Sequence, residues 1–311
     1  MLHLRLIVPH DLRDAVLEHL DTWAGVTHVV LLPDAALRPA GDVVLCDVAR
    51  EAADEVLAGL RELGLAERGA IDVSPLELTI SKSAERAEEL APGDGADALV
   101  WEAVSEITHE ESTLSVVYLA FMALATMLAA CGAVLDSAIL VVGAMAVGPD
   151  FGPLAGLCVA LVRRRAREAG RSLAALLVGF AVAMVLTAGF SWVMDQLGLF
   201  SQAAFDAERP NTSFIWKPDA MSFVVALLAG AAGVLSLTSA KAGMLVGVAI
   251  SVTTVPAAAN AAVAFGYRDY AQAAGSGVQL LLNLLGIVLA GVLTLLAQHW
   301  AWRIIRARAA A

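Results

Sequence analysis

The sequence predicts an α-helical polytopic membrane protein that carries a small N-terminal α+β domain, and three observations predict it. Of the 311 residues 59% are hydrophobic, and the apolar runs are concentrated after residue 113, so two parts of the chain are built for different solvents. Charge divides the same way. Residues 1–80 hold six basic and fourteen acidic residues, 81–113 two and nine, and 114–311 twelve and eight, which together give the net charge of −11. Finally, Gly143-Ala144-Met145-Ala146-Val147-Gly148-Pro149-Asp150-Phe151-Gly152-Pro153 interrupts an apolar stretch long enough to span a bilayer. A helix broken in lipid exposes backbone groups that need partners, which is tolerated only where protein or a cavity surrounds the break.

Residues 1–80 read as an N-terminal ferredoxin-like α+β cytosolic domain. Leu2, Leu4, Leu6 and Val8 alternate with His3, Arg5 and Ile7 as in a half-buried strand ending at Pro9. A helix follows from about Asp11, with Leu12, Ala15, Val16, Leu20 and Trp23 at helical spacing up to Gly25. Residues 26–32 and 43–48 are β-rich runs, 51–63 a second helix stopped by Gly64, and 71–80 the last strand. The order βαββαβ is that of the split βαβ sandwich. His10, Asp11 and Arg13 open the first helix and Arg50 precedes the second. Helix starts attract anions, so these four are candidates for a regulatory nucleotide or metabolite site; plain surface helix starts are the other reading.

Several classes are disfavoured. An acidic head repels nucleic acid and anionic lipid. His3, His10, His19, His28 and His109 lack metal-ligand spacing, and there is no Gly-rich phosphate loop, nucleophile elbow or carboxylate pair with a recognisable partner, so neither a metal nor enzyme chemistry is expected and no cofactor is named. Cys46, Cys131 and Cys158, odd in number, read as reduced packing residues. Met1 to Arg5 do not open a secretory signal.

Residues 81–113 form the connector. Ser81 to Gly95 is polar and ends in the turn-rich Ala91-Pro92-Gly93-Asp94-Gly95, reading as a hinge, whereas 97–111 is helical with Leu99, Val100, Ala103, Val104 and Ile107 on its apolar side. Glu102, Glu106, Glu110 and Glu111 on the other side describe a solvated face, or a lever from head to membrane that His109 would make pH sensitive.

Six spans are predicted in residues 114–311: 114–133, 137–162, 172–194, 220–240, 243–265 and 278–300, each near or above the roughly 20 residues a crossing needs. Arg163, Arg164, Arg165, Arg167 and Arg171 after the second, Lys241 after the fourth, and Arg303, Arg306 and Arg308 after the sixth put those loops and both termini in the cytosol. Three spans plus three permit an inverted repeat, and the middle span of each set is broken, by Pro149 and Pro153 in one and Pro256 in the other. Each proline frees the carbonyl four residues back, at Met145, Pro149 and Val252. Ser251, Thr253, Thr254 and Asn260 add polar side chains. Gly148, Gly152 and Gly156, like Gly243 and Gly247, offer faces for close helix contact. Asp150, a charge inside an apolar span, points to proton or cation coupling, and Asp136 is expected at the outer surface. The candidate pocket is therefore Gly143, Met145, Gly148, Pro149, Asp150, Gly152, Pro153, Thr253, Thr254, Pro256 and Asn260, with packing alone as the competing reading.

Gly143-Ala144-Met145 with Pro149 and Gly152-Pro153, joined by Arg209-Pro210-Asn211 and Gly247-Val248-Ala249-Ile250 leading to Val255-Pro256, resembles the bacterial uncharacterised hydrophobic domain membrane proteins, the domain-of-unknown-function family numbered 389. The resemblance implies a bacterial multi-span protein with a ferredoxin-like N-terminal domain and supplies no substrate or catalytic residue. The chain departs from that pattern at Asp150, where an apolar residue is usual, and at Ala257, where a second proline is common. The expectation is a homo-oligomeric inner-membrane channel or transporter of a small solute or ion, embedded in membrane lipid and regulated by its head. The competing class is a membrane-anchored metabolite or nucleotide sensor without transport.

Overall fold

The computed structural model describes residues 1–76, 78–91, 101–217, 219–238 and 254–309. The chain forms two compact units, one built mainly on Met1–Val104 and the other on Ser105–Leu237 and the segment that ends at Ala297.

The first unit contains β1 (Leu2–Val8), α1 (Arg13–Asp21), β2 (Val26–Leu37), β3 (Ala40–Val48), α2 (Arg50–Glu62), the single turn α3 (Leu65–Arg68), β4 (Ala70–Pro75) and α4 (Lys82–Leu90). The sheet order is β2-β3-β1-β4, and every pairing is antiparallel. The period-two pattern of β1 sets its register: Leu2, Leu4 and Leu6 lie opposite Val48, Cys46 and Val44. Their side chains share one face, where they meet Val16 and Leu20 of α1 and Val56, Leu57 and Leu60 of α2 in a single buried core. Gly64 turns the chain after α2 at φ 75°, a conformation that favours glycine.

Two boundaries differ from expectation. The last strand stops at Pro75 instead of running to residue 80, because proline cannot donate to a ladder. Ser81 to Leu90, read as a polar hinge, is instead mostly helix: the Ser81 hydroxyl accepts from the Ala84 N–H at 3.5 Å, and Ala84 and Ala87 are buried three residues apart. A two-alanine face is too small to register as amphipathic periodicity.

The second unit begins within α5 (Trp101–Glu111) and continues with α6 (Val116–Val134), α7 (Ala138–Val147), α8 (Phe151–Val162), α9 (Ala166–Gln196), α10 (Gln202–Asp206), α11 (Ala220–Thr238), α12 (Val255–Gly266) and α13 (Tyr270–Ala309). Among the described residues four helices, α6, α9, α11 and α13, are long and apolar enough to cross a membrane, and α7 with α8 makes a fifth if that pair, bent by 56°, is one span. Six spans were expected; α12, at 12 residues, falls short of a crossing by itself. The turn at 92–95, the helix start at 97–100, Lys241, Gly243, Gly247, Ser251, Val252 and Thr253 lie outside the described residues.

Side chains in this unit are sorted opposite to those of a water-soluble protein. Val116 and Ile139 are 83% and 85% exposed, and so to a lesser degree are Leu177, Val185 and Leu228, whereas Thr126, Asp150, Thr187, Arg209, Thr254, Asn260, Ser276 and Asn283 are buried. Apolar outside and polar inside is what lipid as the surrounding solvent selects, and it is compatible with a membrane protein.

Candidate functional site

Gly148 ends α7 in an extended conformation and Asp150 caps α8, so the Gly-Pro-Asp break is a true interruption of hydrogen-bonded helix. Asp150 is 0% exposed. Its Oδ2 accepts from the hydroxyl of Thr254, which is itself the N-terminal cap of α12. The N-terminus of α8 and that of α12 therefore converge on one carboxylate. Glycine makes the approach feasible: a Cβ at Gly148 would lie 2.9 Å from Val255 Cγ2. Pro256 stands in the first turn of α12, where a missing N–H costs nothing.

The other predicted pocket residues separate. Met145 is buried in an apolar cluster with Val141, Ile215 and Ala257, which is core packing. A Cβ at Gly143 would meet nothing within 4 Å among the described residues. Gly152 receives Glu111 at the end of α5, and Gly156 receives the Ser112 hydroxyl and Thr108 carbonyl from the same end together with the Ser172 hydroxyl of α9. Pro153 is buried within α8.

Asn260 anchors a second polar cluster, one turn beyond Pro256. Its Oδ1 accepts from Arg209 at 3.1 Å and from the Gln272 amide at 3.4 Å, and its own amide donates to Ser276 at 2.8 Å. Arg209 also donates to the Ala133 carbonyl at 3.4 Å and stacks 4.2 Å over Phe205. Gln272 and Ser276 open a ladder on one face of α13 that continues through Gln279 and Asn283, all buried. The Gln279 amide donates to Asn283 at 3.3 Å, while its Oε1 is buried without a hydrogen-bond partner among the described residues. The spacing of this ladder, at i, i+4, i+7 and i+11, was visible in the sequence and was missed because polar residues so sparse disappear in an apolar average.

The motif Arg209-Pro210-Asn211 acquires a second role through Asp136, in the turn between α6 and α7. Asp136 accepts from the Asn211 side chain at 2.9 Å and the Thr212 hydroxyl at 2.9 Å. Against the desolvation that would raise it, these bonds hold its carboxyl below the ordinary value.

In the sheet domain the predicted regulatory residues are largely committed to internal partners. Asp11 pairs with Arg68 at 2.7 Å, and the fork of Arg13 clasps Asp42. Arg13, assisted by the Asp34 N–H, holds the Asp42 carboxyl well below the usual carboxylate range. His10 lies 3.4 Å from Asp34 and 3.5 Å from Asp42, so three ligand-type atoms fall within 4.8 Å of one another; a cation there would compete with Arg13. Arg50 differs, its Nε being buried without a hydrogen-bond partner among the described residues. Desolvation lowers its pKa despite nearby Glu51.

One constellation in this domain was missed entirely. Asp47 accepts two histidines, His3 at 2.7 Å and His28 at 2.6 Å, and the far nitrogen of His28 lies 2.8 Å from both Ser81 and Ser83. Asp47 sits low in pKa: burial would raise it, and the bonds from His28 and His3 outweigh burial. His28 stands at φ 51° in the irregularity between Thr27 and Val30, a bulge that swings its ring out of strand alternation and pins the start of α4. An open groove of about 690 Å³ lies between α1 and β2, lined by Leu17, Leu20, Trp23, Val26 and Val29 with Glu18 and Asp21.

These features define a mostly helical protein whose apolar helices are of membrane-crossing length, joined to a small antiparallel sheet domain. Residues 145–289, which include the carboxylate break, Asn260 and the α13 ladder, match the family described as Domain of unknown function (DUF389). No curated protein and no solved structure matches the chain.

Proposed function

We propose that this protein is a membrane transporter or channel for a small solute or ion, regulated by its N-terminal domain. The observation that carries the reading is the buried carboxylate of Asp150 at the α7–α8 break, held by Thr254 at the start of α12. A charge inside an apolar helical unit is expensive and persists where it serves transport or coupling. Two interrupted helices whose N-termini meet at one point are the usual construction of a transport site. On this reading the chain crosses six times, three spans repeat the other three inverted, and the Arg-rich turn after α8 faces the cytosol of a bacterial inner membrane together with both termini. The sheet domain is ferredoxin-like, the chain assembles with copies of itself through small-residue faces, and it has no enzyme activity and no affinity for nucleic acid.

The proton is the coupling ion that a buried carboxylate held by a hydroxyl suits best. In liposomes reconstituted with the full-length protein, Asp150→Asn is expected to abolish proton-coupled uptake while leaving assembly intact on size exclusion; unchanged uptake overturns the assignment of Asp150. The competing reading is a sensor without transport. It draws support from the buried Arg50 guanidinium at the start of α2 and from the groove beside Trp23, which suit a nucleotide or metabolite. Thermal stabilisation by such a ligand with no flux of any ion would favour it.

A further inference from the structure

We propose that Glu111 is the second carboxylate of the membrane site, the group through which Asp150 exchanges its proton with the aqueous phase. This rests on the transport reading and adds the route by which the buried carboxylate reaches solvent.

The two acids are joined by the first turn of α8. Asp150 caps that turn, and Gly152, its second residue, is the surface on which Glu111 lies: a Cβ at Gly152 would come 2.7 Å from Glu111 Oε2 and closer still to the Glu111 Cβ. Glycine alone admits this side chain. The end of α5 is fastened in place by bonds independent of Glu111. Ser172 donates to Ser112 at 3.1 Å, Arg171 donates to the His109 carbonyl at 2.7 Å and lies 3.0 Å from its Nε2, and Arg163 donates to Ser105 at 2.8 Å. Three residues of α5 and the turn after it, Ser105, His109 and Ser112, thus fix the carboxylate over α8, and so the position of Glu111 is built rather than incidental.

Exposure separates the two acids. Asp150 is sealed from solvent, whereas Glu111 remains exposed. A proton taken from water by Glu111 and passed to Asp150 leaves Glu111 a carboxylate again and Asp150 neutral; the return path reverses both steps, so no further reactant is required. Desolvation against α8 and the charge of Glu110 push the Glu111 carboxyl up from its ordinary value, toward the range where a relay exchanges readily. The other charged groups on this end of α5 are His109, two residues back in the chain, and Arg171 of α9, which donates to the His109 carbonyl at 2.7 Å.

The test uses full-length protein in liposomes containing a pH-sensitive dye, with proton influx driven by a potassium diffusion potential. Wild type is expected to acidify the lumen, Asp150→Asn to match protein-free vesicles, and Glu111→Gln to slow influx at least tenfold with an unchanged melting temperature in detergent. Glutamine preserves the packing and hydrogen-bonding capacity of Glu111, so a merely structural role predicts no loss. Glu111→Asp is expected to recover most of the rate, and Gly152→Ala, which displaces Glu111, to behave as Glu111→Gln does. If Glu111→Gln conducts like wild type while Asp150→Asn is silent, the relay is overturned and the transport reading stands. If wild type is no faster than protein-free vesicles, proton transport falls and the relay falls with it.

Discussion

The sheet domain and the helical unit each have an apolar core, and they differ in what lies around and within it. In the former, Leu4, Leu6, Val44 and Cys46 lie inside, and acidic side chains such as Asp14, Glu18 and Asp34 remain outside. In the latter, the outer surface is Val116, Ile139 and Leu177, and the interior holds Asp150, Arg209, Asn260 and Ser276. Each arrangement is the cheaper one in its own solvent: water rewards apolar burial, whereas lipid removes that reward and leaves unsatisfied polar groups as the dominant penalty. Stability is therefore expected to rest on different atoms in the two regions. It rests on apolar volume in one and on hydrogen-bond closure in the other.

The sharpest way to break that contrast is Leu6→Ala, which opens a cavity in the sheet-domain core and should cost about 2–5 kcal/mol. Hydrogen exchange is expected to show lost protection in β1 and β3 with α6 and α9 unchanged. In the helical unit a polar deletion should matter comparably. Asn260→Leu leaves Arg209, Gln272 and Ser276 short of a partner, and a fall of about 3 kcal/mol is expected, read as the melting temperature in detergent. Thr254→Val keeps shape and removes the hydroxyl donated to Asp150, with an expected cost of about 1.5–3 kcal/mol. A melting temperature equal to that of wild type would show that the bond does not hold α12 to the break.

Acid separates the regions as well. The Asp42 carboxyl is depressed in the folded state, so its contribution is present above the unfolded value of about 3.9 and is lost as pH falls through and below it. The melting temperature of the sheet domain should begin to fall below about pH 4, and Asp42→Asn should flatten that arm; an unaltered acid limb would contradict the role of the Arg13 clasp. The smallest effect is expected at Leu177, 62% exposed on α9. Leu177→Ala should stay within about 0.5 kcal/mol in detergent. A larger loss would mean that a protein surface, not lipid, covers that face.

What the sequence disclosed follows from the range of the forces involved. Period-two alternation in β1 and the Gly64 stop are local, and both were legible, as was the break at Gly148-Pro149-Asp150, since proline and glycine act on their own backbone. Partners were not legible. Thr254 and Asp150 are 104 residues apart and Arg209 and Asn260 are 51 apart, and no periodicity connects them. Composition misled where the polar run after Ser81 concealed α4. The glutamate repeat of α5 showed that Glu111 is exposed, but not that it lies against Gly152.

The α13 ladder constrains how this chain can change. Gln272, Ser276, Gln279 and Asn283 keep one face only while the number of residues between them is conserved, because each inserted or deleted residue rotates the rest of the helix by about 100°. A single-residue insertion just after Ser276 would swing Gln279 and Asn283 toward the lipid side and bring Val278 and Leu282 to the positions they leave. The register still matters further along, where the Ile287 backbone lies against Gly230 and Gly291 against Cys158.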